Sequence, residues 1–100
     1  MYDVERYLNQ LRSMVELRAM WDLYMEDLQI RQQNGHHIPP ETWADARSKY
    51  NNANQNVDDA RFALLNHIGG QGVFDVEDFI NHIEQTAEIH HAIVRLARNR

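Results

Sequence analysis

Cysteine is absent from the 100 residues, which excludes disulfides, thiolate metal ligands and a cysteine nucleophile. No stretch approaches the roughly 18 apolar residues of a membrane-spanning helix, and residues 1–6 lack the charged-then-apolar order of a signal peptide. We therefore expect a cytoplasmic protein that contacts no membrane. Glycine and proline are scarce too: the four glycines and two prolines all fall within residues 35–40 and 69–72, so the rest of the chain is uninterrupted.

Lysine is nearly absent as well, because every basic side chain except Lys49 is an arginine. The formal net charge is −5. An acidic chain repels the phosphate backbone, so we expect no nucleic-acid partner. Arginine makes forked, directional contacts and enters interfaces more readily than lysine.

The two Gly/Pro-containing breaks divide the chain into three long segments, each with helical spacing of apolar residues. The first is predicted from Asp3 to about Asn34, the second from about Pro40 to Ile68, and the third from an Asp75 cap to about Asn99. A chain of this length forms one domain, residues 1–100. We predict an all-α antiparallel bundle of three long helices: a long hairpin, with the third helix packed across or alongside it.

The second segment carries the most regular pattern in the chain. Large residues recur every seven positions at Trp43, Tyr50, Val57 and Leu64, and alanines fill the other core position of the heptad. Alanine along a seam lets two helix backbones approach closely. This alanine seam, formed by Ala46, Ala53 and Ala60, therefore predicts intimate contact with one helix, either in the same chain or in a second copy.

The first segment is apolar nearly all the way round from Leu17 to Leu28, and two neighbouring helices do not cover such a helix completely. In the third segment, Ile89, Ile93 and Leu96 form a second apolar strip beside the main one. From the incomplete coverage of the first segment, we expect a homodimer or higher homo-oligomer. The predicted interface consists of Leu17, Met20, Trp21, Tyr24, Trp43, Ala46, Tyr50, Ala53, Val57 and Ala60.

Arg18 lies where the apolar stripe of the first helix continues. A half-buried arginine needs a carboxylate, a carbonyl or an anionic ligand, unless its stem covers apolar surface while its head reaches water. If a ligand is the partner, Arg18, Trp21 and Tyr24 form a pocket for a flat or phosphorylated molecule.

Two residue pairs have spacings found in enzymes. Glu88 and His91 have the Glu-x-x-His spacing of di-metal helical bundles, but such a site needs a second pair and further carboxylates, so we expect no metal or cofactor. Arg61 and His67 resemble the spaced arginine–histidine signature of helical ribonucleases of the HEPN type, although Phe62 stands where that family usually has a small polar residue. The resemblance implies that Arg61 binds a phosphate and that His67 assists proton transfer.

These patterns favour a non-catalytic helical interaction module that self-associates and binds another protein as a small regulator, inhibitor or assembly adaptor. Bacteriophages encode many proteins of this kind, an analogy that rests on no particular residue. The alternative is a binder of a small anionic, nucleotide-like ligand, using arginine and aromatic residues between helices of an oligomer. A ribonuclease-like or metal-dependent helical enzyme is the further alternative.

Overall fold

The computed structural model describes residues 2–68 and 75–98, and this part of the chain is all-α. Helix α1 spans Tyr2–Gln33, α2 spans Pro40–Ile68 and α3 spans Val76–Arg98. The three predicted helices are confirmed within one or two residues at the bounds that can be compared. The predicted turn at residues 69–72 and the end of the third helix at Asn99 lie outside the described residues.

The connection between α1 and α2 follows from its glycine and prolines. Gly35 has a φ of 91°, and its N–H donates to the carbonyl of Gln32 at 3.1 Å, while the His36 N–H donates to the carbonyl of Arg31 at 3.0 Å. This is the Schellman arrangement, which satisfies the last carbonyls of a helix. Pro40 then occupies the first position of α2, where a missing N–H costs nothing.

The start of α3 is fixed by Asp75, as predicted. Its side-chain Oδ1 accepts a hydrogen bond from the backbone N–H of Asp78 at 3.1 Å. Glu77 and Asp78 lie in the first turn, where acidic side chains favour the positive end of the helix dipole.

Contacts between side chains define the directions of the helices. The Tyr7 ring packs against the His67 ring at 4.8 Å, and Lys49 lies over the Trp21 ring at 5.0 Å. The start of α1 therefore lies beside the end of α2, and the middle of α1 lies beside an earlier part of α2. The two helices form the predicted antiparallel hairpin. Toward α3 the order is the opposite: Arg12 lies over the Phe79 ring, and Asp27 pairs with Arg95 farther along both helices. Thus α3 runs parallel to α1, as in an up-down-up bundle.

The hydrophobic core lies where all three helices meet. Its buried residues come from α1, from the C-terminal half of α2 and from the N-terminal half of α3: Leu11, Val15, Val57, Ala60, Leu64, Val76, Ile80 and Ile83. The remaining seam alanines, Ala46 and Ala53, are buried as well. The alanine seam is therefore covered inside the single chain, mainly by α1, which packs along most of α2.

The packing leaves an unusually large surface for a chain of this size. The Cα radius of gyration is 16.3 Å, whereas a compact domain of 100 residues has about 13 Å. The accessible surface is 7529 Å² for 11.8 kDa, against about 5,900 Å² expected for a compact monomer of that mass. Among the described residues, no helix combines the length and the apolar character needed to cross a bilayer.

Candidate interaction surface

A groove of about 840 Å³ separates α1 from the C-terminal half of α3. Met20, Leu23 and Tyr24 form much of its α1 wall, and Ala87 and Val94 contribute to the α3 wall. The groove exists because the apolar packing between α1 and α3 is concentrated in the N-terminal half of α3, where Val76, Ile80 and Ile83 are buried. Farther along, the two helices face each other across an open channel. Most of the area of its walls is apolar, but charged and histidine side chains line it as well: Arg12, Glu16, Asp27, His82, His90, His91 and Arg98.

Beside this groove, α3 exposes an apolar stripe made of Ile89, Ile93 and Leu96. These side chains are 63 %, 60 % and 67 % exposed, and their spacing of four and three places them on one face of the helix. The stripe adjoins Thr86 and His90, which line the groove and lie three positions before Ile89 and Ile93. We call the groove and the stripe together the open face.

The predicted interface residues divide into three groups in the structure. Leu17, Met20 and Tyr24 are exposed, which agrees with the expectation that the middle of α1 is incompletely covered. Trp21, Trp43 and Tyr50 are half-buried. The other four are buried within the chain and offer no surface to a second one: Ala46, Ala53, Val57 and Ala60.

The α3 stripe was not among the predicted interface residues. Its signal was present in the sequence, since Ile89, Ile93 and Leu96 repeat at helical spacing. That pattern alone does not distinguish a strip that packs on a neighbouring helix from one that remains open. The difference depends on how α3 is rotated about its axis, which is fixed by the burial of Ile80 and Ile83.

Trp21 and Tyr24 pack against each other, and of the two only Tyr24 lines the groove. Their rings meet edge to face, with centroids 5.7 Å apart and an interplanar angle of 86°. The Lys49 ammonium lies 5.0 Å from the centre of the Trp21 ring, a cation–π contact. Trp21 is therefore engaged by neighbours on both α1 and α2.

Arg18 already has protein partners. Its side chain is 16 % exposed, and its guanidinium donates to Asn54 Oδ1 at 2.9 Å and pairs with Glu84 Oε1. Of the two readings of Arg18, the one that requires a partner is the one observed, and the partner is a carboxylate of the same chain. Arg18 lines a separate cavity of about 300 Å³, whereas Tyr24 lines the groove, so the predicted ligand residues do not share one pocket.

A polar cluster bridges the groove near the ends of both helices. Asp27 on α1 pairs with Arg95 on α3, and its other oxygen lies 3.5 Å from His91 Nε2. The same nitrogen is 2.9 Å from the Arg95 guanidinium. These contacts hold the C-terminal half of α3 near α1. The buried residues of α3 are Val76, Ile80 and Ile83, all in its first half.

Glu88 and His91, the pair with metal-ligand spacing, line different cavities. Glu88 lines the cavity that contains Arg18, while His91 faces Asp27 across the groove. Over residues 4–67 and 75–98, no three His, Asp or Glu side chains lie close enough together to hold a metal ion. The structure therefore adds no further ligand to this pair.

Arg61 and His67, the pair that resembles the HEPN signature, also have separate neighbours. The Arg61 guanidinium pairs with Glu77 at 2.9 Å and with Asp58 at 3.2 Å, which ties α2 to α3. His67 stacks on Tyr7 of α1. Both side chains therefore make contacts that stabilise the bundle.

Comparison with known proteins gives no family for this chain: no protein-family model, no curated protein and no solved structure matches it.

Proposed function

We propose that this protein is a non-catalytic helical interaction module that self-associates and, in the assembled form, binds another protein as a small regulator, inhibitor or assembly adaptor. The observation that carries the proposal is the open face. Large apolar side chains from two helices remain exposed around a groove, and contiguous apolar patches of this kind mark interaction sites.

The size of the exposed surface supports association rather than an isolated chain. The chain exposes about 1,600 Å² more than the compact monomer expected for its mass, and a standard interface removes about 800 Å² from each partner. The excess is therefore large enough to supply one complete interface. Hydrophobic burial is the main driving force for such association.

The two alternatives receive less support from the geometry. A binder of anionic ligands was expected to use Arg18, yet two acceptors from the same chain already satisfy this guanidinium. An enzyme was expected to use Arg61 with His67, or Glu88 with His91. Each member of these pairs instead faces a different set of neighbours.

Sedimentation equilibrium over a wide range of protein concentration tests the proposal. We expect the wild-type chain to exceed the monomer mass, and an Ile89→Ser/Ile93→Ser variant to sediment as a monomer with unchanged helical circular dichroism. Phe62→Ser provides the matched control, because Phe62 is 68 % exposed on α2, away from the open face, and its loss should leave the mass unchanged. A wild-type chain that remains monomeric at every concentration contradicts the proposal.

A further inference from the structure

We infer that the occupant of the groove is α3 of a second copy, whose Ile89–Ile93–Leu96 stripe packs between α1 and α3 of the first copy while the first copy's stripe fills the second copy's groove. The inference rests on the proposed self-association and specifies its geometry. The two copies form an antiparallel four-helix core made of two α1 and two α3 helices.

The chain carries both halves of this contact. A groove between two helices is the position that a third helix occupies in a bundle, and its α1 wall presents Met20, Leu23 and Tyr24. The stripe presents three large aliphatic side chains with no charge among them. In a two-fold symmetric dimer, the stripe of each copy packs into the groove of the other copy. A single arrangement therefore covers both grooves and both stripes.

The neighbours of the stripe allow close approach. Ala92 and Ala97 lie on either side of it along α3, and both are exposed. The one charged side chain within residues 89–97, Arg95, is directed to Asp27 on α1. A second helix can therefore cover the stripe itself without removing an unpaired charge from water, a step that would cost several kcal/mol. The groove that receives the stripe is also lined by Arg12, Glu16 and Arg98, whose charged ends have to stay in water or pair across the contact.

Charge determines the direction in which the second α3 lies. Glu77, Glu84 and Arg95 are paired within the chain, so the charges of α3 that are left for a second copy are Asp78 and Glu88 in its first half and middle and Arg98 in its last turn. A parallel pair of α3 helices places acid beside acid and arginine beside arginine. An antiparallel pair brings the arginine end of each helix toward the acidic part of the other, and it also opposes the helix dipoles favourably.

Disulfide trapping tests this arrangement, since the chain has no cysteine of its own. Chains carrying Met20→Cys, on the α1 wall, and chains carrying Ile93→Cys, on the stripe, are mixed and oxidised, and the cross-linked peptides are identified by mass spectrometry. We expect this mixed disulfide to form several-fold faster than the one between Met20→Cys and Phe62→Cys chains. Phe62 is as exposed as the stripe but lies on α2.

A second pair of mixtures tests the direction. Glu16 lies in the groove nearer the N-terminus of α1 than Met20. In the antiparallel arrangement, Glu16→Cys should cross-link faster to Leu96→Cys than to Ile89→Cys, and the parallel arrangement reverses this order.

The outcomes separate the inference from the proposed function. If the wild-type chain sediments as an oligomer but Met20→Cys joins Ile93→Cys no faster than it joins Phe62→Cys, the groove is not the docking site and only the inference fails. If Ile89→Cys is instead the faster partner of Glu16→Cys, the antiparallel direction is wrong, and again only the inference fails. If the wild-type chain is a monomer at all concentrations, the proposed self-association fails with it.

Discussion

The guanidinium of Arg18 on α1 forms an ion pair with the carboxylate of Glu84 on α3, and its other terminal nitrogen donates to Asn54 on α2. One side chain thus connects all three helices. Each group is partly removed from water, so the loss of one leaves the others without a compensating partner. This polar junction, rather than an external ligand, satisfies the arginine.

Arg18→Met should therefore destabilise the fold. We expect the free energy of unfolding to fall by about 2 kcal/mol, between the small value of an exposed ion pair and the larger cost of breaking a fully buried one. Urea denaturation followed by circular dichroism measures this change. Arg6→Met is the matched control, because Arg6 is an exposed arginine on the same helix. Equal stability of the two variants contradicts the structural role of Arg18.

The alanine seam gives a second prediction. Ala53 is buried between α2 and α1, so Ala53→Leu forces the two backbones apart. Overpacking of this kind costs about 1–3 kcal/mol. Ala44→Leu adds the same atoms at an exposed position of α2 and should leave stability nearly unchanged. Thermal unfolding of both variants checks the comparison, and a stable Ala53→Leu chain indicates that the seam is not in close contact.

The seam also shows what could be predicted from the sequence. Ala46, Ala53 and Ala60 repeat every seven residues along one helix, and a periodic pattern on one helix requires only that the helix forms. The same reasoning gave the ends of α1 and α2, because Gly35 and Pro40 act within a few residues of their own position. The positions of the helices can therefore be predicted from residues that are close together in the sequence. The heptad repeat also predicts which face of α2 is covered.

The partners of Arg18 could not be predicted in this way. Asn54 and Glu84 are 36 and 66 residues away along the chain, and their meeting depends on the rotation of α2 and α3 about their axes. The exposure of Ile93 depends on the same rotation. A single sequence contains the apolar spacing of each helix but not the pairing of its faces, so the candidate interface was only partly predicted.

Gly35 supplies a third prediction. Its φ of 91° lies in the left-handed region, and a Cβ added there meets nothing within 4 Å. Any loss of stability in Gly35→Ala therefore comes from the backbone, and we expect about 1 kcal/mol. Gly35→Asn should lose less, because asparagine tolerates this conformation better. Denaturant titration distinguishes the two variants, and an unchanged Gly35→Ala chain rules out the strained turn.

The fourth prediction concerns the polar cluster that holds the end of α3. Asp27 pairs with Arg95 and lies beside His91, in a region where α3 has no buried apolar residue. Asp27→Asn removes the charge while keeping the size of the side chain. At a protein concentration where the chain is monomeric, we expect amide hydrogen exchange to accelerate in residues 86–98 and to remain unchanged at Ile80 and Ile83, since that half of α3 is fixed by the core.

Glu26→Gln is the control for this measurement, because Glu26 is an exposed acid one position away on α1. It removes the same charge without touching α3, so exchange in residues 86–98 should match the wild type. Faster exchange along the whole of α3 in Asp27→Asn means that the helix opens as one unit. Selective acceleration instead shows that its C-terminal half opens separately, because ion pairs rather than buried side chains hold it against α1.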